Sequence, residues 1–172
     1  MNHNHTPTRH GFTLLELLAA ILVMSIISAV VLPVIMSASE SYTTTRDVRT
    51  RTERMGYALD RITRMIRQAP IGVGDTGVGI QSATSESLVF TDGTGFDLSG
   101  NVLRMRVPNE NPATLCDDID AIEVVYLDSD GVTSTLGTPA DTHRVVVTLT
   151  SGNLQMSTVA HPRVWIGQEG TP

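Results

Sequence analysis

Residues 14–36 form a run of twenty-three that is apolar except for Glu16, Ser25 and Ser28. As a helix rising ~1.5 Å per residue it reaches roughly 34 Å, enough to cross a hydrocarbon core about 30 Å thick. Two simple readings compete. A cleaved signal peptide has an apolar stretch of only about 7–15 residues before a small-residue cleavage site. Ser37-Ala38-Ser39 offers such a site, but the run is too long for it. A plain membrane anchor fits the length. Neither reading explains Glu16, because a carboxylate within a membrane span costs on the order of 2.5–3.5 kcal/mol. The segment holds no basic side chain to pair with it. Either the carboxylate reaches the interface and keeps its head in water, or a cation comes from outside the segment.

The flanking residues bear on that choice. Arg9-His10-Gly11-Phe12-Thr13-Leu14-Leu15-Glu16-Leu17-Leu18 resembles the cleavage and methylation signature of type IV prepilins and type II secretion pseudopilins. In that family a short basic leader ends in glycine, followed by Phe-Thr-Leu-(Leu/Ile)-Glu and a long apolar helix. The match is unbroken from Gly11 to Glu16. The resemblance implies that a prepilin peptidase cuts between Gly11 and Phe12 on the cytoplasmic side, and that the new α-amino group of Phe12 is N-methylated. It also implies an assembly role for Glu16, whose carboxylate pairs with the N-terminal amine of a neighbouring subunit. That amine is the missing cation, and pairing offsets part of the desolvation cost of each group. Pro33 removes a backbone hydrogen bond within the run. The family pattern makes it a helix kink, the alternative being a tolerated membrane proline. Arg46, Arg49, Arg51 and Arg54 follow the span so closely that the positive-inside rule does not set orientation. The cytoplasmic placement of the leader rests on the resemblance.

Past the span, residues 39–68 contain no proline and one glycine, Gly56, and read as a continuation of the helix. An unbroken helix over 14–68 would be about 80 Å long. At 100° per residue, Arg46, Arg49, Arg54, Arg61, Arg64 and Arg67 fall within an arc of about 140°, opposite Val48, Met55, Leu59, Ile62, Met65 and Ile66. Only Arg51 breaks the segregation. Asp47–Arg51, Arg49–Glu53 and Asp60–Arg64 are spaced as i,i+4 pairs. The apolar stripe needs a cover, and the C-terminal region is the natural one. The basic face is a solvated mixed-charge surface, a site for anionic lipid, nucleic acid or an acidic partner, or a contact for the acidic heads of neighbouring subunits. The last option follows from charge: residues 1–70 hold eight arginines and five carboxylates, whereas 71–172 hold four and thirteen. The net charge of −6 argues against a nucleic-acid-binding domain, which needs a basic surface.

Pro70 ends the helix. Gly72, Gly74 and Gly77 spell G-x-G-x-x-G, but a dinucleotide fingerprint follows a strand and opens a helix, and this one follows a helix. Short alternating segments then predict strands at 87–91, 102–107, Ala121–Leu127, 144–150 and 154–159, with tight turns at 128–131 and 151–153. Together they predict an antiparallel sheet packed on the helix stripe. Asp128-Ser129-Asp130-Gly131 is similar to the start of a calcium loop. However, the twelfth loop position is Pro139 rather than glutamate, which favours a plain turn. His143 and His161 lie near no nucleophile motif, and a single cysteine, Cys116, excludes a disulfide scaffold.

The sequence therefore predicts an α+β, pilin-like fold: a leader at 1–11, an N-terminal helix at 12–69 with 14–36 transmembrane, and a β-rich head at 70–172. The resemblance implies a structural subunit of a type IV pilus or type II secretion pseudopilus, a minor one of the J-type or PilW-like kind. It is expected to have no catalytic residues, no metal and no cofactor. Its partners are prepilin peptidase, other (pseudo)pilin subunits, an inner-membrane assembly platform and membrane lipid, with no nucleic acid. Its place is the inner (cytoplasmic) membrane, single-pass, with the head periplasmic or extracellular, and then the filament. The alternative is a membrane-anchored periplasmic binding or hydrolytic domain.

Overall fold

The computed structural model describes residues 12–166; the leader at 1–11, Gly11 included, and residues 167–172 lie outside that range. Helix α1 spans Leu14–Arg67 and contains Pro33. Its closing turn is tightened by Gln68 N–H donating to the carbonyls of Arg64 and Met65, and by Ala69 N–H donating to that of Ile66, before Pro70 ends it. Hydroxyl residues, poor helix formers because they compete for backbone partners, are accommodated by bonding backwards. Ser25 donates to the carbonyl of Leu22, Ser28 to that of Met24, Thr44 to that of Glu40 and Thr45 to that of Ser41. The chain divides into two compact units whose boundary, between Val48 and Arg49, falls inside α1.

In the first unit the described residues are all exposed. In the second, Met55, Ala58, Leu59, Ile62 and Ile66 are buried, spaced three or four apart as one face of a helix requires. They join one core with Leu88, Phe90, Phe96, Leu103, Tyr126, Val147 and Leu149. The predicted stripe is therefore the buried one, except that Val48 is half exposed.

The head holds two antiparallel sheets where the sequence predicted one. Strands β1 (Ile80–Ala83), β2 (Ser87–Phe90), β3 (Gly95–Ser99), β4 (Val102–Arg106) and β5 (Ala113–Cys116) form a five-stranded meander. Strands β6 (Ala121–Leu127), β7 (Arg144–Ser151) and β8 (Leu154–Ala160) form a three-stranded sheet. The break follows β5, where Asp118 has φ 63° and the buried side chain of Ile119 turns into the core. That left-handed residue redirects the chain, so β6 pairs with β7 instead of extending β5. The sheets are tied together by Val124 N–H to the Ser85 carbonyl at 2.7 Å and by the Tyr126 hydroxyl to the Ser87 carbonyl at 2.8 Å. Burial pushes the Tyr126 phenol pKa up.

The five predicted strands are present as β2, β4, β6, β7 and β8, while β1, β3 and β5 are additional. The β7–β8 hairpin turns through Gly152, φ 57°, at the first of two loop residues, where a positive φ is required. The glycine-rich stretch after α1 closes on itself: Gly72 N–H donates to the Gly77 carbonyl, and Ile71 bridges Val78. The link from β6 to β7 is long. Its first turn, at Asp128–Gly131, is followed by a bridge from Leu127 to Ser134 and a 3-10 turn at Pro139–Asp141.

Three acidic residues between β5 and β6 are all engaged. Asp117 pairs with Arg54 at 3.0 Å, and Asp118 with Arg51 at 3.1 Å. Asp120 accepts from Asn101 Nδ2 and from Gly152 N–H. Arg51, the residue that broke the helical segregation, thus points where Asp118 waits. The i,i+4 pairs Arg49–Glu53 and Arg64–Asp60 are present. On β3, Asp97 is buried and gripped by Arg104 and Arg106, the shortest contact being 2.6 Å from Arg106 Nη2.

Candidate functional site

Helix α1 begins with a reciprocal cap. Thr13 is the residue before the first helical position and Glu16 is the third residue inside. Thr13 N–H and Thr13 Oγ1–H both donate to Glu16 Oε2 at 2.9 Å, and Glu16 N–H donates to Thr13 Oγ1 at 3.3 Å. This is a capping box, in which two otherwise orphaned backbone donors are satisfied by each other's side chains. A negative side chain in the first turn also complements the positive end of the helix dipole. The T-x-x-E spacing ahead of an apolar run is its sequence signal, and reading Glu16 for an intermolecular role passed over it.

The cap leaves part of the carboxylate free. Both side-chain-directed bonds fall on Oε2, and among the described residues none is made to Oε1. A carboxylate has room for about four hydrogen bonds, so Glu16 can accept an external cation without giving up its cap. Phe12, four residues before it, is 86% exposed.

Beyond the cap, the large apolar side chains from Phe12 to Met36 are exposed. A helix that is apolar all round and carries no cover is a surface for lipid or for other helices. It is the one helix long and apolar enough to cross a membrane among the described residues. The hydroxyls of Ser25 and Ser28 are already bonded to helix carbonyls, so they add no unsatisfied donor to that surface. Of the residues singled out by sequence, Phe12 and Glu16 come together at the helix start and Pro33 lies farther along the same exposed helix. Gly11 lies outside the described residues.

The head's chemistry-bearing residues are mostly occupied in structure. Asp130 accepts from Val132 N–H and from both Thr133 N–H and Thr133 Oγ1–H, which hold its carboxyl below the usual range. The stretch that is similar to a calcium loop is thus an Asx turn. Among the described residues no group of three or more His, Cys, Asp and Glu is placed to hold a metal. Cys116 is buried; burial, then the Asp117 charge, push its thiol pKa up, which makes it inert rather than nucleophilic.

The sequence shows no site in the head, but the fold forms several surface cavities there, and a cavity of ≈480 Å³ is walled by His143, Arg144, His161, Arg163 and Trp165 among others. His143 stacks on Trp165 with ring centroids 3.8 Å apart. These residues come from the start of β7 and the segment after β8, and no local motif announces them.

Among known families, the chain matches the prokaryotic N-terminal methylation motif over residues 7–32. No curated protein and no solved structure matches the chain significantly. The matched segment includes Phe12, the Thr13–Glu16 cap and most of the exposed apolar run, and the fold that follows is an α+β, pilin-like arrangement of one long N-terminal helix and antiparallel sheets. The chain thus carries the N-terminal methylation motif that is the type IV prepilin signature.

Proposed function

We propose that the chain is a non-catalytic structural subunit of a type IV pilus or type II secretion pseudopilus, made as a precursor and assembled through α1. In this reading prepilin peptidase cuts between Gly11 and Phe12 and methylates the Phe12 amine. Residues 14–36 hold the subunit in the inner membrane with the head on the periplasmic or extracellular side, until an assembly platform moves it into the filament. Pro33 gives the helix a kink that lets it fit among its neighbours.

The observation that carries the proposal is Glu16: a carboxylate in an otherwise apolar surface, capped through one oxygen and open at the other. Removal of the leader creates an α-amino cation four residues upstream, in the same apolar surroundings. Within one subunit the cap already occupies Oε2, and Oε1 remains for the amine of the next subunit. Each charge then finds a partner where neither lipid nor apolar helix supplies one. The degenerate run Tyr57-Ala58-Leu59-Asp60-Arg61-Ile62, the Asp-Gly turn after β6 and the late β7 strand support a minor subunit of the J-type or PilW-like kind.

Glu16→Ala in a strain that builds the filament tests the pairing. Leader removal should proceed at wild-type level, while incorporation into sheared filaments falls at least tenfold. Unchanged incorporation of a processed Glu16→Ala subunit contradicts the proposal.

A further inference from the structure

Residues 71–166 contain four arginines and two histidines. Arg104 and Arg106 are held by Asp97. The other four, Arg144, Arg163, His143 and His161, all line the ≈480 Å³ cavity at the end of the three-stranded sheet. The carboxylate in its wall is Asp128, 3.3 Å from His143 Nδ1. Two arginines against one carboxylate leave the wall positive, within a segment whose sequence is strongly acidic.

Arg144 is the informative member. It is half-buried, its buried Nε has no hydrogen-bond partner among the described residues, and the ion pairs among those residues leave it out. Arg104, the other half-buried arginine, has Asp97. A half-buried guanidinium with no ion pair among the described residues is a ready partner for an anion that enters the cavity. The guanidinium lies over Gly131, where a Cβ would stand 2.6 Å from Arg144 Nη1. The aromatic wall is held in place: Trp165 Nε1–H donates to the Thr142 carbonyl at 2.9 Å while the ring stacks on His143. Such a site is organised before any ligand arrives.

We propose that this cavity binds an oxyanion, a carboxylate or phosphate group, with Arg144 and Arg163 as its ionic partners and the two histidines as neighbouring polar contacts. The volume is in the range of small-molecule sites and exceeds what one inorganic ion fills. The oxyanion belongs to a small organic acid or phosphate ester, or to an acidic side chain of a second copy of this chain. This proposal is independent of the filament reading, and its failure would leave that reading untouched.

Trp165 is the chain's single tryptophan, so intrinsic fluorescence reports on the cavity wall. The full-length chain in nonionic detergent is titrated with inorganic phosphate and with glutarate, ionic strength being held with chloride. The proposal predicts a saturable change in Trp165 emission, with affinity weakened at least tenfold in Arg144→Gln and Arg163→Gln and unchanged in Arg61→Gln, which lies outside this cavity. If a second copy supplies the oxyanion, emission shifts with protein concentration, phosphate reverses the shift and Arg163→Gln abolishes it. Circular dichroism confirms the fold of each variant; should Arg144→Gln unfold, the exposed Arg163 carries the test alone. Absence of both a saturable response and a concentration dependence in the wild type overturns the proposal. So does a folded Arg163→Gln that responds as the wild type does.

Discussion

Under the proposed assembly Glu16 serves two roles, which a single carboxylate can hold because its two oxygens are separate acceptors. One closes the capping box with Thr13, and the other is left for a partner. Asp97 shows the opposite use of a carboxylate. Burial alone would raise its pKa, but hydrogen bonds and charge from Arg106 and Arg104 outweigh that and hold it below the usual range. A carboxyl held below its unfolded value of about 3.9 adds stability at higher pH, which is lost as pH falls through the native value. Asp97→Asn should therefore destabilise the head at neutral pH by about 1.5–3 kcal/mol, the scale of hydrogen bonds to charged groups. The gap to wild type should close below pH ~4. Urea unfolding followed by Trp165 fluorescence across pH 2–7 checks this, and a gap independent of pH would contradict it.

The last turns of α1 are held by apolar burial far more than by charge. Ile62 is fully buried in the shared core, and truncating such a side chain costs about 2–5 kcal/mol. Arg51 and Asp118 remain roughly half exposed, and pairs of that kind contribute only about 0–1 kcal/mol. Chemical unfolding of Ile62→Ala and Arg51→Ala should rank them in that order; equal losses would mean that the ion pairs carry the packing. The sequence announced elements with clean periodicity. The alternation of Ile122, Val124 and Tyr126 gave β6 its exact bounds, and the stripe Met55–Leu59–Ile62–Ile66 gave the buried helix face. Strand β3 was hidden because Gly95 and Asp97 interrupt its apolar pattern, and Asp97 is buried only through arginines on the next strand. Strands β1 and β5 are short, with few buried positions. The division into two sheets depends on a left-handed Asp118 and on pairing across a long loop, neither of which leaves a periodic trace.

Across the whole molecule, the imbalance between a basic N-terminal part and an acidic remainder resolves into contacts inside the chain as well as surface charge. Arg51 and Arg54 from the basic part meet Asp118 and Asp117, whereas Arg104 and Arg106 enclose Asp97 within the acidic part. The arginines left over in the head gather at one cavity, a juxtaposition that residues twenty positions apart in sequence do not disclose. The N-terminal methylation motif was readable because its chemistry is local: a glycine, a following Phe-Thr, a carboxylate and an uninterrupted apolar run. Its central claim is a covalent one, and mass spectrometry of the N-terminal peptide from the mature, membrane-derived protein tests it most directly. The expected mature chain begins at Phe12 with a methylated α-amino group. A chain that still begins at Met1, or one cut near Ser39, would contradict it.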